Sequence, residues 1–381
     1  MPRTLYLHIG SHKTGTTALQ QSLHQNRVVL GACGADYVSA PTAVHLHSYL
    51  GPCASGALMP DGFKVLDPVG LADRLASGDQ DIVIAGSENF SFFFHKPQIA
   101  ALHQALRPLF DDIRIQCYLR RQDRHAVSHH QEGAKPHRQA EGALWGHAPN
   151  ALPDHSKGQD LYLDYDRRLA LWAEVFGADK LDIRVYDRAL LKDGDIFADF
   201  LALIGLNIRG LHPVGDRNIS LGAAQTKAGH LMNALAVQPS MMEAILNRIG
   251  NEGRLVPSQG QARAFLDHYR ESNRRLNARF AISSRPDLFN DDFDDYPAAP
   301  QSDWTEPGAT EALQAVLAQL TEVSPDPSAL NADDLRHAAV ALQAKFPDAA
   351  LRLISAAHAL RPGGPAILKL KTELEFRLEQ D

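Results

Sequence analysis

The stretch from Leu5 to Thr17, LYLHIGSHKTGTT, decides how this 381-residue chain is read. A short apolar run ends at Gly10 and a second glycine follows at Gly15. Thr16 and Thr17 then open a segment, TALQQSLHQN, whose apolar residues recur three to four apart, as in a helix. A strand feeding a glycine-containing loop that opens a helix aims backbone N–H groups and the positive end of the helix dipole at an anion, above all a phosphate. A nucleoside-triphosphate loop of this kind reads G-x4-G-K-[ST], with its lysine directly after the second glycine. Here Thr16 stands in that place, and Lys13 lies inside the loop, three residues beyond Gly10. From there its ammonium reaches the far end of a phosphate chain from another side. In isolation the same residues also fit a plain strand-to-helix turn, with glycines serving geometry and a solvated lysine.

Further apolar runs, DIVIAG (81–86), IRIQCYL (113–119) and LDIRVY (181–186), alternate with segments of helical period such as QIAALHQALRPLF and DGDIFADFLALIGL. Apolar strands alternating with helices predict an α/β fold, with a largely parallel sheet covered on both faces. Residues 132–160 carry glycines, prolines and histidines without a sustained period, the pattern of a lid or binding loop. Past FNDDFDDYPAAPQSDWTEPG the composition turns to Ala-Leu-rich helices, which divides the chain into an α/β domain, 1–306, and a helical region, 307–381. In that tail Ala350, Ile354, Ala357 and Pro362 keep the spacing of the second helix of a tetratricopeptide-type hairpin, which it resembles. One repeat is visible, without the first-helix aromatics. A protein-binding module and a terminal hairpin packed on the main domain are both open.

Hydrophobic residues at 44%, charged residues at 22% and no 18-residue apolar stretch predict a soluble chain. The N-terminus shows neither a long apolar segment nor a small-residue cleavage site, so no secretory signal is expected. Cys33, Cys53 and Cys117 are odd in number and far apart, which suits neither a disulfide framework nor a thiolate metal centre and fits a cytoplasmic setting. A formal charge of −7 gives no general attraction to nucleic acid or to an anionic membrane. Any anionic ligand must be held by local positive groups.

The pattern HIGSHKTGTTALQ resembles the 5′-phosphosulfate loop of the sulfotransferases that use 3′-phosphoadenosine 5′-phosphosulfate. By position the resemblance makes Lys13 the catalytic cation at the bridging oxygen between phosphate and sulfate. Thr14, Gly15, Thr16 and Thr17 become the 5′-phosphate cradle, and His12 is counted with the cofactor contacts. A second stretch, CYLRRQDRHAVSHH, starts in the third strand and enters a helix. The same family binds the 3′-phosphate with an arginine at a strand end and a serine eight residues later, the separation of Arg120 and Ser128 here. Guanidinium supplies a two-pronged charged contact and the hydroxyl a further donor. Arg121 and Arg124 compete for that role, as surface charges or ion-pair partners otherwise. The resemblance extends through VYDRALLKDGDIFADFLALIGL, similar to the closing helix of bacterial members, to ESNRRLNARF. The glycine-rich 3′-phosphate segment of cytosolic animal members is missing.

A hydroxyl acceptor must lose its proton, which calls for a His, Glu or Lys in reach. IAGSENF places Glu88 just past the second of the apolar runs. Carbohydrate-directed and bacterial relatives use a glutamate in this neighbourhood, which makes Glu88 the first candidate base, with a histidine as the alternative. Glu88 as a helix cap or an arginine's partner is the other reading. In HLHSYL, His45 and His47 stand two apart; His45 is a candidate acceptor contact, and no metal is expected, since spacing identifies no third ligand. The expected activity is metal-independent sulfuryl transfer to a hydroxyl, as on a sugar, leaving 3′-phosphoadenosine 5′-phosphate. A nucleotide-dependent kinase on a related fold and a non-catalytic partner-binding protein are the competing readings. The expected partners are a small-molecule or carbohydrate acceptor and, through the tail, a protein; nucleic acid and membrane insertion are not expected.

Overall fold

The computed structural model describes residues 2–38, 50–52, 64–66, 68–76, 80–136, 138, 142–206, 211, 213, 220–322, 331–344 and 346–378. Among these residues seven strands follow in chain order: β1 (Thr4–His8), β2 (Ala35–Tyr37), β3 (Leu50–Pro52), β4 (Lys64–Leu66), β5 (Ile82–Gly86), β6 (Asp112–Leu119) and β7 (Leu181–Val185). Five of them form one all-parallel sheet in the order β2-β5-β1-β6-β7, while β3 and β4 pair antiparallel with each other. The four apolar runs of the sequence are β1, β5, β6 and β7. The short ADY strand at the sheet edge has no apolar run to announce it.

Side-chain alternation along β1 explains why the sheet is covered twice. Leu5, Leu7 and Ile9 pack with Val83, Ala85, Ile115 and Leu119 against Trp172 and Phe265, from the helices Tyr165–Phe176 and Gln259–Phe280. On the other face Ile84 and Tyr118 pack with Leu19, Leu23, Phe197 and Phe200, from Thr16–Gln25 and Ile196–Leu203. Removing each of these leucines from water contributes about 1.5–3 kcal/mol. The segment DGDIFADFLALIGL starts its helix at Ile196 because the Asp195 carboxylate accepts from the Ala198 N–H at 2.9 Å.

Register places the site. Thr4 lies opposite both Ile82 and Asp112, and His8 opposite both Gly86 and Gln116, so β1, β5 and β6 run level. The chain visits β2 and β5 on one side of β1 and then crosses to β6 on the other. The carboxyl edge beside β1 is therefore a topological switch point, where open α/β sheets leave a crevice for ligands.

The chain divides into two compact units, Met1–Leu313 and Gln314–Asp381. In the second, helices Ala332–Leu342, Pro347–Leu360 and Pro365–Leu378 pack through Leu335, Ala339, Ala350, Ile354, Ala357 and Leu374. Among the described residues no helix is long and apolar enough to cross a membrane.

Candidate functional site

Both loop glycines are required by the space and the backbone around them. Gly10 has φ +102°, and a Cβ there would lie 2.4 Å from Ser91 Oγ and 3.2 Å from Glu88 Cα. Gly15, at φ +74°, precedes the helix Thr16–Gln25, and a Cβ on it would lie 3.0 Å from Tyr186 Oη. Lys13, between them, also takes a left-handed φ of +60°, a conformation that costs a side-chain-bearing residue about 1–3 kcal/mol and is held only by its surroundings. Those surroundings are visible. Ser11 N–H donates to Tyr118 O at 2.9 Å, Tyr118 N–H donates to Gly10 O at 2.8 Å, and the Thr14 hydroxyl closes the loop onto Ser11 O at 2.6 Å.

No side chain caps the Thr16–Gln25 helix and no acidic residue stands in its first turn. Its opening N–H groups have no partner within the helix, which leaves them free to meet an anion. Thr14 and Thr16 are buried and Thr17 is exposed. The Thr14 hydroxyl is thus committed to the loop itself, and its contribution to a cradle falls to its backbone N–H.

Arg120 follows β6 and its guanidinium donates to Lys13 O at 3.1 Å, so the two cations singled out by sequence share one loop. Burial lowers the Arg120 pKa, an effect that Tyr186, Tyr296 and Asp123 partly offset. Arg120 and Arg285 form no ion pair among the described residues, unlike their neighbours. Arg121 is buried and grips Asp123 through two hydrogen bonds, 2.8 and 2.9 Å, as well as Asn290 and Asp292 O. Arg124 pairs with Asp295 at 2.7 Å. Together these arginines line an open recess whose other walls include Tyr186 and Phe289. Ser128, half-buried, sits two turns into the following helix, Gln122–Glu132.

Lys13 Nζ rests 3.3 Å from Glu132 Oε2, a carboxylate it shares with Lys135 and Arg138. Burial alone would raise the Glu132 pKa, but Lys13, Lys135 and Arg138 outweigh it and hold the carboxyl at about 2. Glu132 is thus the shared counter-ion of Lys13, Lys135 and Arg138.

Glu88 opens the 3-10 turn Glu88–Phe92 after β5, with its backbone against Gly10, and its Oε2 accepts from Gln20 Nε2 at 3.0 Å. The cap of that turn is Ser87, whose hydroxyl accepts from Asn89 N–H. The His12 side chain is engaged by neighbouring protein groups. Its Nδ1 pairs with Tyr162 Oη at 2.8 Å, its Nε2 with Asn89 Oδ1 at 3.3 Å, and its ring stacks on His129. This anchors the loop to the helix Lys157–Leu163. His45 and His47 lie outside the described residues.

Sequence reasoning missed the support beneath the loop. His125 and His129 are buried and 3.3 Å apart, nitrogen to nitrogen, in a cluster with Trp145 and Tyr162. Burial, and then His129, Arg120 and His12, hold His125 well below the ordinary imidazole range. Their i, i+4 spacing on one helix face was the available signal. Arg168 is also buried; it donates to Ser11 Oγ at 2.6 Å and lies over the rings of Tyr162 and Tyr165. Nothing in the sequence around Arg168 marks it.

No family model matches the chain. An uncharacterized protein of Archaeoglobus fulgidus is 26% identical over 174 residues, which span 43% of this chain and 44% of that protein. The chain thus matches less than half the length of that curated relative. Among solved structures, a sulfotransferase from Alicyclobacillus acidocaldarius is similar over 74% of this chain and 98% of its own, at a TM-score of 0.41 and 14% identity. That likeness is too distant to carry an activity across.

Proposed function

We propose that the chain transfers a sulfuryl group from 3′-phosphoadenosine 5′-phosphosulfate to a hydroxyl of an acceptor such as a carbohydrate, without a catalytic metal. The observation that carries the reading is the Arg120 guanidinium 3.1 Å from the carbonyl of Lys13, beside an uncapped helix N-terminus. Two unlike phosphate contacts, one from a loop and one from a strand end, then meet a single doubly phosphorylated nucleotide. The N–H groups of Thr14 to Thr17 hold its 5′ end, and Arg120 with Ser128 holds its 3′-phosphate. Tyr186 and Phe289 offer flat walls to the adenosine between them.

In the transfer the acceptor oxygen forms a bond to sulfur as the bond from sulfur to the bridging oxygen breaks, and the charge gathers on that oxygen. Lys13 leaves Glu132 and neutralises it, an interaction stronger in the transition state than in the ground state. The acceptor proton passes to Glu88, which Gln20 orients. Glu88→Gln keeps the hydrogen-bonding shape and removes the base. It is expected to lower turnover by about 10²–10⁴-fold, while affinity for 3′-phosphoadenosine 5′-phosphate stays unchanged. Lost nucleotide affinity in that variant would instead give Glu88 a structural role. The acceptor is read by the segment 132–160 and by 41–66, where His45 stands; the helices of 307–381, tetratricopeptide-like in spacing, would recruit a protein partner.

Calorimetry with 3′-phosphoadenosine 5′-phosphate, with and without magnesium, tests the proposal. Binding that ignores the metal supports it; magnesium-dependent preference for ATP points to a kinase, and silence towards nucleotides to a non-catalytic role. In the same experiment Arg120→Ala removes a charged contact and is expected to weaken binding by roughly 10- to 150-fold, the equivalent of about 1.5–3 kcal/mol. An unchanged affinity would remove Arg120 from the phosphate site.

A further inference from the structure

Away from the loop, three metal-ligating side chains converge on one point. His155 precedes the helix Lys157–Leu163, Asp160 stands in that helix's first turn, and His268 comes from the middle of Gln259–Phe280. One ligand atom from each lies within 4.8 Å of the other two. We propose that His155, Asp160 and His268 bind one zinc ion, which ties the segment leading into Lys157–Leu163 to the long helix.

Two imidazoles and a carboxylate are the nitrogen and oxygen donors that zinc takes at about 2.0–2.2 Å, with water completing a tetrahedron. His268 Nε2 and Asp160 Oδ1 are 2.9 Å apart, already close to the spacing of two ligands on one ion. The His155 ring is held face to face on Phe265 at 4.8 Å and comes equally near the His268 ring. Both histidines are exposed enough for an ion to enter. Asp160 also accepts from Tyr269 Oη at 3.0 Å, the outer-shell support that a ligating carboxylate commonly has. An ion pair between a protonated His268 and Asp160 accounts for those two residues alone. It gives no reason for a second imidazole in the same place, which a cation at His268 would repel.

Two residues beyond Asp160 stands Tyr162, whose hydroxyl holds His12 of the glycine loop. The ion therefore steadies the support of the loop without touching the reacting groups, and the inference is independent of the proposed activity. The test is titration of the full chain, stripped with a chelator, with zinc and with cobalt as a visible probe. The expected results are one equivalent of zinc bound, tetrahedral cobalt absorption, and a rise in melting temperature. His155→Ala and His268→Ala should each abolish these. Tyr269→Phe, which keeps the buried ring, should weaken zinc affinity by about 10- to 100-fold. His155→Ala leaves the 268–160 pair intact, so its loss of zinc cannot be put down to that ion pair. The absence of saturable zinc binding overturns the proposal, and so does an equivalent of zinc retained by the double histidine variant, which would place it on other histidines.

Discussion

Lys13→Ala is expected to slow the proposed sulfuryl transfer by about 10²–10³-fold, the usual loss when one preorganised donor to a developing oxyanion is removed. The expectation rests on where the loop holds the residue. Lys13 has a left-handed backbone between two glycines that cannot carry a side chain, and its ammonium is parked on Glu132 at 3.3 Å. That contact has no role once a phosphate arrives, because Glu132 keeps Lys135 and Arg138 as partners. Alanine also relieves none of the backbone strain, so the loop should keep its course. Single-turnover rates at saturating donor are the measurement, with circular dichroism to confirm the fold. A rate within a few-fold of the wild type would mean that another group meets the leaving oxygen.

The largest effect on stability is expected at Asp123. Its carboxylate is fully buried and accepts two hydrogen bonds from Arg121 and one, at 2.8 Å, from Tyr296 Oη. Asp123→Ala leaves a buried guanidinium with backbone and amide acceptors but no counter-charge, a change that costs about 3–5 kcal/mol. Against a total stability of about 5–15 kcal/mol for a typical domain, that is a large fraction. Urea unfolding should show it directly. The loss should also reach the recess, since Arg121 fastens Asn290, one of its walls, to the end of β6. A cost below about 1 kcal/mol would show that Asn290 and Asp292 alone satisfy Arg121.

Consecutive residues leave a strand on opposite sides, and this separates Arg120 from Arg121. The first meets the glycine loop and the second the 290–296 segment, a difference in surroundings between neighbours of the same residue type. The sequence could offer Arg121 as an ion-pair partner, but its burial depends on a segment about 170 residues away. The sheet was legible because its four principal strands are apolar runs buried on both faces. The loop was legible because two glycines at fixed spacing mark a turn before a helix. The edge strand Ala35–Tyr37 was not, since three residues centred on an aspartate carry no period. The cluster under the loop was not either. Trp145 and Tyr162, from other segments, pack on His125 and His129, and Arg168 is covered by Tyr162 and by Tyr165 of its own helix. Glu88 was singled out by resemblance as a candidate base, and the structure adds its contact with Gln20 of the Thr16–Gln25 helix.

In the proposed function one doubly phosphorylated adenosine spans the glycine loop and the end of β6. A crystal structure with 3′-phosphoadenosine 5′-phosphate tests it most directly. The expected density places the 5′-phosphate on the N–H groups of Thr14 to Thr17, with Lys13 released from Glu132, and the 3′-phosphate on Arg120 and Ser128. A nucleotide seated elsewhere, or one that reaches the loop while its 3′-phosphate stays clear of Arg120, would contradict the account.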